Sequence, residues 1–148
     1  MNDFKQIDIC NNNVKNCPSE DIYKAFNTLM FSDDIKLMGK LLHRYNFFLQ
    51  TKDLPGDIVE VGVFKGSGMA TFIKFLEIFT PNSNKKVIGF DIFDTEESSF
   101  ILQAKDNEID KNSMESVYSK VDSDELSLKA VEHRLLNISP NVSDKMKL

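Results

Sequence analysis

A glycine-rich turn between an apolar strand and an amphipathic helix constrains the fold of this chain more than any other stretch. The stretch Asp57–Val63 is apolar and β-branched at Ile58, Val59, Val61 and Val63, which predicts a strand. The glycines at its end are Gly62, Gly66 and Gly68. Apolar spacing then predicts a helix from about Ser67 to Phe79, and Val87–Phe90 predicts a second strand. This order indicates an α/β fold with a parallel sheet, in which ligands bind at the carboxyl ends of the strands.

Helical patterns flank this central stretch. Pro18–Asp21 predicts the start of a helix that ends near Phe31, and Ser32–Asp34 predicts the start of a second helix that reaches about Gln50. The apolar stripe of the second helix is expected to pack against the sheet or a partner chain.

After the second strand the patterns are weaker. Residues 95–121 predict either a lid or binding loop or a poorly ordered insertion. A third helix is expected to start at Ser123 and to end at Pro140–Asn141. Residues 143–148 alternate between polar and apolar, which indicates the approach to a third strand.

Composition limits the partners and the compartment. The chain has 148 residues and a formal net charge of −5, which argues against a nucleic-acid partner. No apolar run is long enough to cross a bilayer, and the first residues lack a signal-peptide pattern, so a cytoplasmic location without a membrane partner is expected. Cys10 and Cys17 are interpreted as free thiols on a flexible leader, residues 1–17.

The turn does not match two common phosphate-binding patterns. A phosphate-binding loop needs Gly-Lys-Ser/Thr, but Lys65 precedes Gly66. The glycine spacing also departs from Gly-x-Gly-x-x-Gly, the dinucleotide pattern. Glu60, just before the first glycine, would repel a pyrophosphate, so NAD and ATP are disfavoured. A tight turn without any ligand stays open as an alternative for the glycines alone.

Two acids at the strand ends suit a different ligand. S-adenosylmethionine has an ammonium and a sulfonium that favour Glu60, and a carboxylate that suits the N–H groups at a helix start. Asp91 can accept hydrogen bonds from both ribose hydroxyls, with Ile92 and Phe93 beside the adenine. Singly, Glu60 is equally explained as a cap of the next turn and Asp91 as a capping or loop acid. Together with the glycines they favour the ligand.

These residues resemble a known family. Residues 55–66 and 89–94 are similar to class I S-adenosylmethionine-dependent methyltransferases, most closely the macrocin O-methyltransferase family, which methylates sugar hydroxyls in antibiotic biosynthesis. Leu42 and Arg44 fit the upstream region of that family. The departures are Lys65 where Arg is common, Ser67-Gly68 in place of Gly-Ser, and Asp94 in place of Glu. The resemblance implies that a group of residues frames the cofactor: Glu60, Gly62, Gly66, Ser67, Asp91 and Ile92.

The resemblance also implies a fold and an activity. The fold is Rossmann-like, with helices over residues 18–54 and a partial cofactor-binding domain over residues 55–148. The activity is O-methylation of a hydroxyl group on a small-molecule acceptor such as a sugar. The family's magnesium site and catalytic base lie further downstream and have no counterpart here, so the chain is expected to be the N-terminal part of a longer protein and inactive alone. The alternative is a non-catalytic α/β module.

Other polar residues are assigned no chemistry. His43 and His133 are interpreted as packing or solvated side chains, and the acidic residues at 106, 108 and 110 as a solvated loop rather than a metal site. Two strands make a poor sheet, so we expect them to pair with another copy, in a homo-oligomer, or with a further part of the protein.

Overall fold

A computed structural model of the chain describes residues 19–93, 121, 123–139 and 141–148. The chain divides into two units, Met1–Leu41 and Leu42–Leu148, which are treated separately below. The predictions for the leader, for Cys10 and Cys17, and for residues 95–120 lie outside the described residues.

Two helices precede the sheet in sequence. Helix α1 spans Ser19–Phe31, and helix α2 spans Ile35–Thr51, crossing from the first unit into the second. Asp34 caps α2, since its Oδ1 accepts a hydrogen bond from the Lys36 N–H at 2.8 Å. Both helices agree with the predicted ones to within a residue. Within the described ranges no helix is both long and apolar enough to span a membrane.

The second unit is built on a parallel sheet. Strand β1 is Ile58–Val61, helix α3 is Ser67–Phe79 and strand β2 is Val87–Phe90. A short 3-10 helix then leads into three further elements: α4 (Leu128–Leu136), α5 (Val142–Lys145) and β3 (Met146–Lys147). The strand order is β1-β2-β3 and both pairs are parallel, with Ile58 opposite Val87 and Val87 opposite Met146. The predicted α/β, Rossmann-like arrangement is confirmed.

The core of this unit lies on one face of the sheet. Val87 of β2 is fully buried against α3, whose Met69, Ile73 and Leu76 are also fully buried. Further buried members come from the other helices: Phe48, Val131, Leu135 and Val142. On the opposite face, side chains of β1 and β2 are exposed: Val59, Val61 and Phe90. The sheet is therefore packed on one side within the described residues.

The structure corrects several predicted boundaries. Strand β1 ends at Val61, two residues early, because Gly62 takes a left-handed φ of 85°. The helix predicted to start at Ser123 is α4. Ser123 instead begins a 3-10 turn, and α4 starts after Ser127, whose side-chain oxygen accepts a hydrogen bond from the Ala130 N–H at 3.3 Å. Residues 146–147 already form the third strand.

The apolar stripe of α2 was expected to meet the sheet or a partner chain. Within the described residues, the rings of Tyr45 and Phe48 pack on Phe75 and Phe79 of α3, and packing against a partner chain stays a prediction. Helix α2 thus lies beside α3 where the two meet, and Phe48 is buried while Leu49 stays exposed.

Candidate functional site at the carboxyl edge of the sheet

The turn after β1 uses its glycines for different purposes. Gly62 and Gly66 have positive φ angles of 85° and 91°, which side chains rarely adopt. A Cβ on Gly62 would meet nothing within 4 Å, so the backbone there is open to an approaching molecule. A Cβ on Gly66 would lie 3.3 Å from Val131 Cγ1 of α4, so that glycine also serves packing. Gly62 is therefore the place in the turn where a ligand can reach the main chain.

Glu60 lies against the first turn of α3. Its carboxyl group accepts a hydrogen bond from the Met69 N–H and fills the space that a Cβ on Gly68 would need. Its Oε2 is buried and has no hydrogen-bond partner among the described residues. Burial raises the Glu60 pKa above the usual 4.5, although the Arg44 charge and the Met69 N–H act to lower it. Glu60 thus caps a helix and still has an unused acceptor.

Asp91 ties the end of β2 to the glycine turn. Its Oδ2 accepts from the Phe64 N–H at 2.7 Å, and its Oδ1 accepts from the Ile92 N–H at 2.7 Å. The hydrogen bond from the Phe64 N–H helps to hold Phe64 at a positive φ of 53°. The residue is exposed, and a carboxylate oxygen with one hydrogen bond can accept another. Asp91 is therefore a loop acid whose two oxygens can each accept a further hydrogen bond.

The remaining predicted residues occupy the same edge. Ser67 is the first residue of α3 and is exposed, and its carbonyl accepts from the Thr71 hydroxyl at 2.7 Å. Ile92 is 43% exposed and follows Asp91 directly. Phe93 is half-buried and packs against the hydrophobic core, so it is less available to flank an adenine than Ile92 is. The predicted site residues come from β1, the turn, the start of α3 or the segment after β2: Glu60, Gly62, Ser67, Asp91 and Ile92.

Contacts from the 3-10 helix (Ser123–Leu126) and from α4 to the turn were not predicted. Lys65 forms an ion pair with Glu125, and Arg134 donates to the Lys65 carbonyl oxygen at 3.3 Å and to the Glu125 carbonyl oxygen. The Lys65 hydrogen bond and charge lower the Glu125 pKa. Because Lys65 and Glu125 are 60 residues apart, no local pattern in the sequence could reveal this pairing.

Arg44 fits the upstream region of the resembled family, but the sequence alone assigned it no role in a site. It lies four residues before Phe48, on the face of α2 that packs towards α3, and it is half-buried. Its charge acts on Glu60. A cationic residue one helical turn from a buried Phe was the signal that could have singled it out.

The arrangement places hydrogen-bond acceptors and an open stretch of main chain at one edge of the sheet. Glu60 has an unused buried oxygen, Gly62 leaves the main chain open, and Asp91 has two acceptors at the end of β2. Carboxylate oxygens accept hydrogen bonds from hydroxyl or ammonium groups. Among the described residues, no group of three or more His, Cys, Asp or Glu side chains could hold a metal ion.

The parallel sheet and the glycine turn after its first strand define a Rossmann-like α/β protein. No protein-family model matches the chain, and no curated protein matches it. Among solved structures it is similar to the crystal structure of CalS11, a calicheamicin methyltransferase, with 25% sequence identity and a TM-score of 0.38. The match covers 54% of this chain and 38% of that one, so the chain spans well under half of that protein's length.

Proposed function

We propose that this chain is the cofactor-binding portion of an S-adenosylmethionine-dependent O-methyltransferase that acts on a small-molecule hydroxyl, such as that of a sugar. The observation that carries the proposal is the pair of strand-end acids. Glu60 lies in β1 and Asp91 directly follows the neighbouring strand β2. Gly62, where the main chain is open, comes shortly after Glu60, and each acid has unused acceptor capacity. The quoted resemblance to methyltransferase motifs supports the same reading.

The chain's residues would divide the cofactor between them. Asp91 would accept the ribose hydroxyls, and Ile92 would contact the adenine. The N–H group of Ser67 and the main chain at Gly62 and Gly66 would frame the methionine end, whose ammonium would face Glu60; the N–H groups of the two glycines themselves donate to the Phe90 and Val63 carbonyl oxygens. When bound, S-adenosylmethionine supplies the methyl group that is transferred to the acceptor hydroxyl. The task of these residues is to hold the donor in a fixed position, which lowers the entropic part of the barrier.

The Glu60 contact argues against nucleotide phosphates. Its carboxyl group lies at the N-terminus of α3, accepting from the Met69 N–H. That is where a phosphate would otherwise take backbone N–H groups and the positive end of the helix dipole. A carboxylate in that position repels a phosphate, which disfavours NAD and ATP as ligands.

Titration calorimetry with S-adenosylhomocysteine, NAD and ATP tests the proposal on the 148-residue chain. We expect heat of binding from S-adenosylhomocysteine and none from the two phosphate ligands. Asp91→Ala should weaken binding by about 1.5–3 kcal/mol, because the ribose loses charged hydrogen bonds. Asp53→Ala, an exposed acid at the opposite edge of the sheet, is the matched control and should leave affinity unchanged. Absence of binding by the wild-type chain contradicts the proposal.

A non-catalytic α/β module is the second candidate. It is favoured by the fact that Glu60 and Asp91 both make hydrogen bonds within the chain, to Met69, Phe64 and Ile92. In such a module the two acids serve the turn alone, and strand pairing with a second copy, in a homo-oligomer, is its expected role. The same titration separates the candidates, since the module binds none of the three ligands.

A further inference from the structure

One peptide unit of the glycine turn is held from both sides. The N–H of Gly66 donates to the Val63 carbonyl oxygen at 2.9 Å. The carbonyl oxygen of Lys65 belongs to the same planar peptide unit, and it accepts from Arg134 Nε at 3.3 Å. Because Gly66 is the N-cap of α3, the orientation of this unit sets how the main chain of the turn enters the helix.

The glycine at position 66 makes this peptide unit easy to rotate. Gly66 has a φ of 91°, and glycine adopts positive and negative φ angles about equally readily. Rotation of the unit changes mainly the ψ of Lys65 and the φ of Gly66, and it exchanges the directions of the N–H and the carbonyl oxygen. The hydrogen bond to Val63 holds the N–H side of the unit. The hydrogen bond from Arg134 holds the carbonyl side.

Arg134 is itself fixed by the packing of α4. Its neighbours Val131 and Leu135 are fully buried, and a Cβ on Gly66 would lie 3.3 Å from Val131 Cγ1 and 3.5 Å from Leu135 Cδ2. The side chain of Arg134 is half-buried. Its guanidinium also donates to the Glu125 carbonyl oxygen, so its planar fork joins the main chain of two separate segments.

An ion pair connects the same two segments. Lys65 Nζ pairs with the Glu125 carboxylate, and 37% and 48% of these two side chains are exposed. An ion pair this exposed contributes little by itself. Here it acts together with the two hydrogen bonds from Arg134, so that Lys65 and Glu125 are joined through both main chain and side chain. Lys65, Glu125 and Arg134 together form the turn clamp.

We propose that Arg134 is a positioning residue for the ligand: with the rest of the turn clamp, it keeps the Lys65–Gly66 peptide unit in the orientation that binds S-adenosylmethionine. The inference rests on the proposed function and goes beyond it, because it assigns part of the ligand affinity to a residue of α4 that does not touch the ligand. Without Arg134 only a fraction of the molecules holds the binding orientation, and the apparent affinity falls by that fraction.

Calorimetry with S-adenosylhomocysteine tests the effect on affinity. Arg134→Met removes both hydrogen bonds and keeps the apolar stem, and it should weaken binding roughly 10-fold. Arg134→Lys keeps donors at the end of a long side chain and should recover part of that loss. Lys129→Met is the matched control, because it removes one exposed positive charge from the same helix, and it should leave the affinity unchanged.

Amide hydrogen exchange separates a local effect from a general loss of stability. The Gly66 N–H belongs to the clamped peptide unit, whereas the Gly62 N–H donates to the Phe90 carbonyl oxygen at the other end of the same turn. In the ligand-free chain, Arg134→Met should speed exchange at Gly66 roughly 10-fold more than at Gly62. General destabilisation would speed exchange of both amides alike.

A charge exchange tests the ion pair, and it decides the matter if Arg134→Met does not fold. Lys65→Glu and Glu125→Lys each place like charges opposite one another, and each should weaken S-adenosylhomocysteine about 2- to 5-fold. The double variant restores opposite charges and should bind more tightly than either single variant.

The outcomes distinguish this inference from the function on which it rests. Wild-type affinity of Arg134→Met, or equal acceleration of exchange at Gly62 and Gly66, overturns the role of Arg134 while the proposed function stands. A double variant that binds no more tightly than the single variants overturns the part assigned to the ion pair. Absence of binding by the wild-type chain overturns both the proposed function and the inference.

Discussion

Glu60 combines two demands that oppose each other. As a helix cap it accepts the Met69 N–H and stabilises the start of α3. As a half-buried acid with an unpartnered oxygen, it loses hydration that one hydrogen bond and the Arg44 charge do not fully replace. Burial is the largest influence, so the Glu60 pKa is raised and ionisation is less favourable in the folded chain than in the unfolded one. Residues held at such a cost are common where a ligand supplies the missing partner.

Replacing Glu60 by Gln should make the ligand-free chain more stable at neutral pH. The folded pKa lies above the unfolded value of 4.5, so the folded chain binds its proton more tightly. The stability that Glu60 contributes is full below pH 4.5 and is lost as pH rises through the folded pKa. Because a glutamine side chain does not titrate, the variant does not lose stability in this way as the pH rises. Urea unfolding at pH values below and well above 4.5 should therefore show the variant gaining on the wild type as pH rises.

The control for this experiment is Glu132→Gln on α4, an exposed residue, which makes the same change in net charge. A gain with pH that is equally large in the control would assign the effect to net charge. A constant difference between Glu60→Gln and the wild type would show that burial does not govern this carboxyl group.

The sequence identified the two acids but could not choose between their roles. The positions of Glu60 and Asp91 at strand ends follow from apolar patterning, which is local information. Their hydrogen bonds to Met69 and Phe64 depend on how the turn folds back, and one of these spans 27 residues. Both acids do make hydrogen bonds to the turn or to the start of α3, as the alternative without a ligand predicted. Their availability to a ligand depends on burial and on unused lone pairs, which no pattern encodes.

At the scale of elements, the contact between α3 and the sheet depends on glycines that have no role in the turn. Gly68 lies in the first turn of α3 and is buried against the Glu60 carboxyl group. Gly89 of β2 faces α3, where a Cβ would come 2.8 Å from Val63 Cγ2 and would also overlap Met69. These two positions let the helix lie close to the strands. Seen in the sequence, Gly68 belongs to the same turn as Gly62, and its packing role is invisible there.

Gly68→Ala should destabilise the second unit by about 1 kcal/mol, because the added Cβ overlaps the end of the Glu60 side chain, which must give up its hydrogen bond from the Met69 N–H to make room. Alanine has a higher helix propensity than glycine, so propensity alone predicts that Gly68→Ala stabilises the unit. Denaturant unfolding of the single variant decides between the two effects.

A double-mutant cycle with Glu60→Ala gives the sharper result. Removing the carboxyl group should relieve the overlap, so that Gly68→Ala costs less in that background and the coupling energy exceeds about 0.5 kcal/mol. Additive effects would show that Gly68 is not limited by Glu60.

Element boundaries were predictable where the signal was local. The bounds of α1, α3 and β2 follow from caps and apolar spacing, and the Asp34 cap of α2 is seen directly. Helix α4 was placed four residues too early, because Ser123-Asp124-Glu125 has the composition of a helix start but forms a 3-10 turn. Ser127 provides the actual cap. Two candidate serines so close together cannot be ranked from composition alone.

At the scale of the whole second unit, the sheet has one packed and one exposed face. The strands were correctly predicted as apolar, but apolar character does not say which face is covered within a given set of residues. Val61 is 82% exposed and Val87 is fully buried, although both are valines in neighbouring parallel strands. The difference arises because α3 and α4 pack on the side of Val87. The two valines therefore form a matched pair for testing the sidedness of the fold.

Val87→Ala should lower the free energy of unfolding by about 2 kcal/mol, the transfer free energy of two buried methyl groups plus a cavity contribution. Val61→Ala removes the same atoms from an exposed position and should cost less than about 1 kcal/mol, mostly through strand propensity. Urea unfolding of both variants, each with an unchanged m-value, measures the difference. Equal costs would mean that the face bearing Val61 is covered in solution, and sedimentation of the wild-type chain would then show whether a second copy covers it, because self-association raises the sedimentation coefficient with concentration.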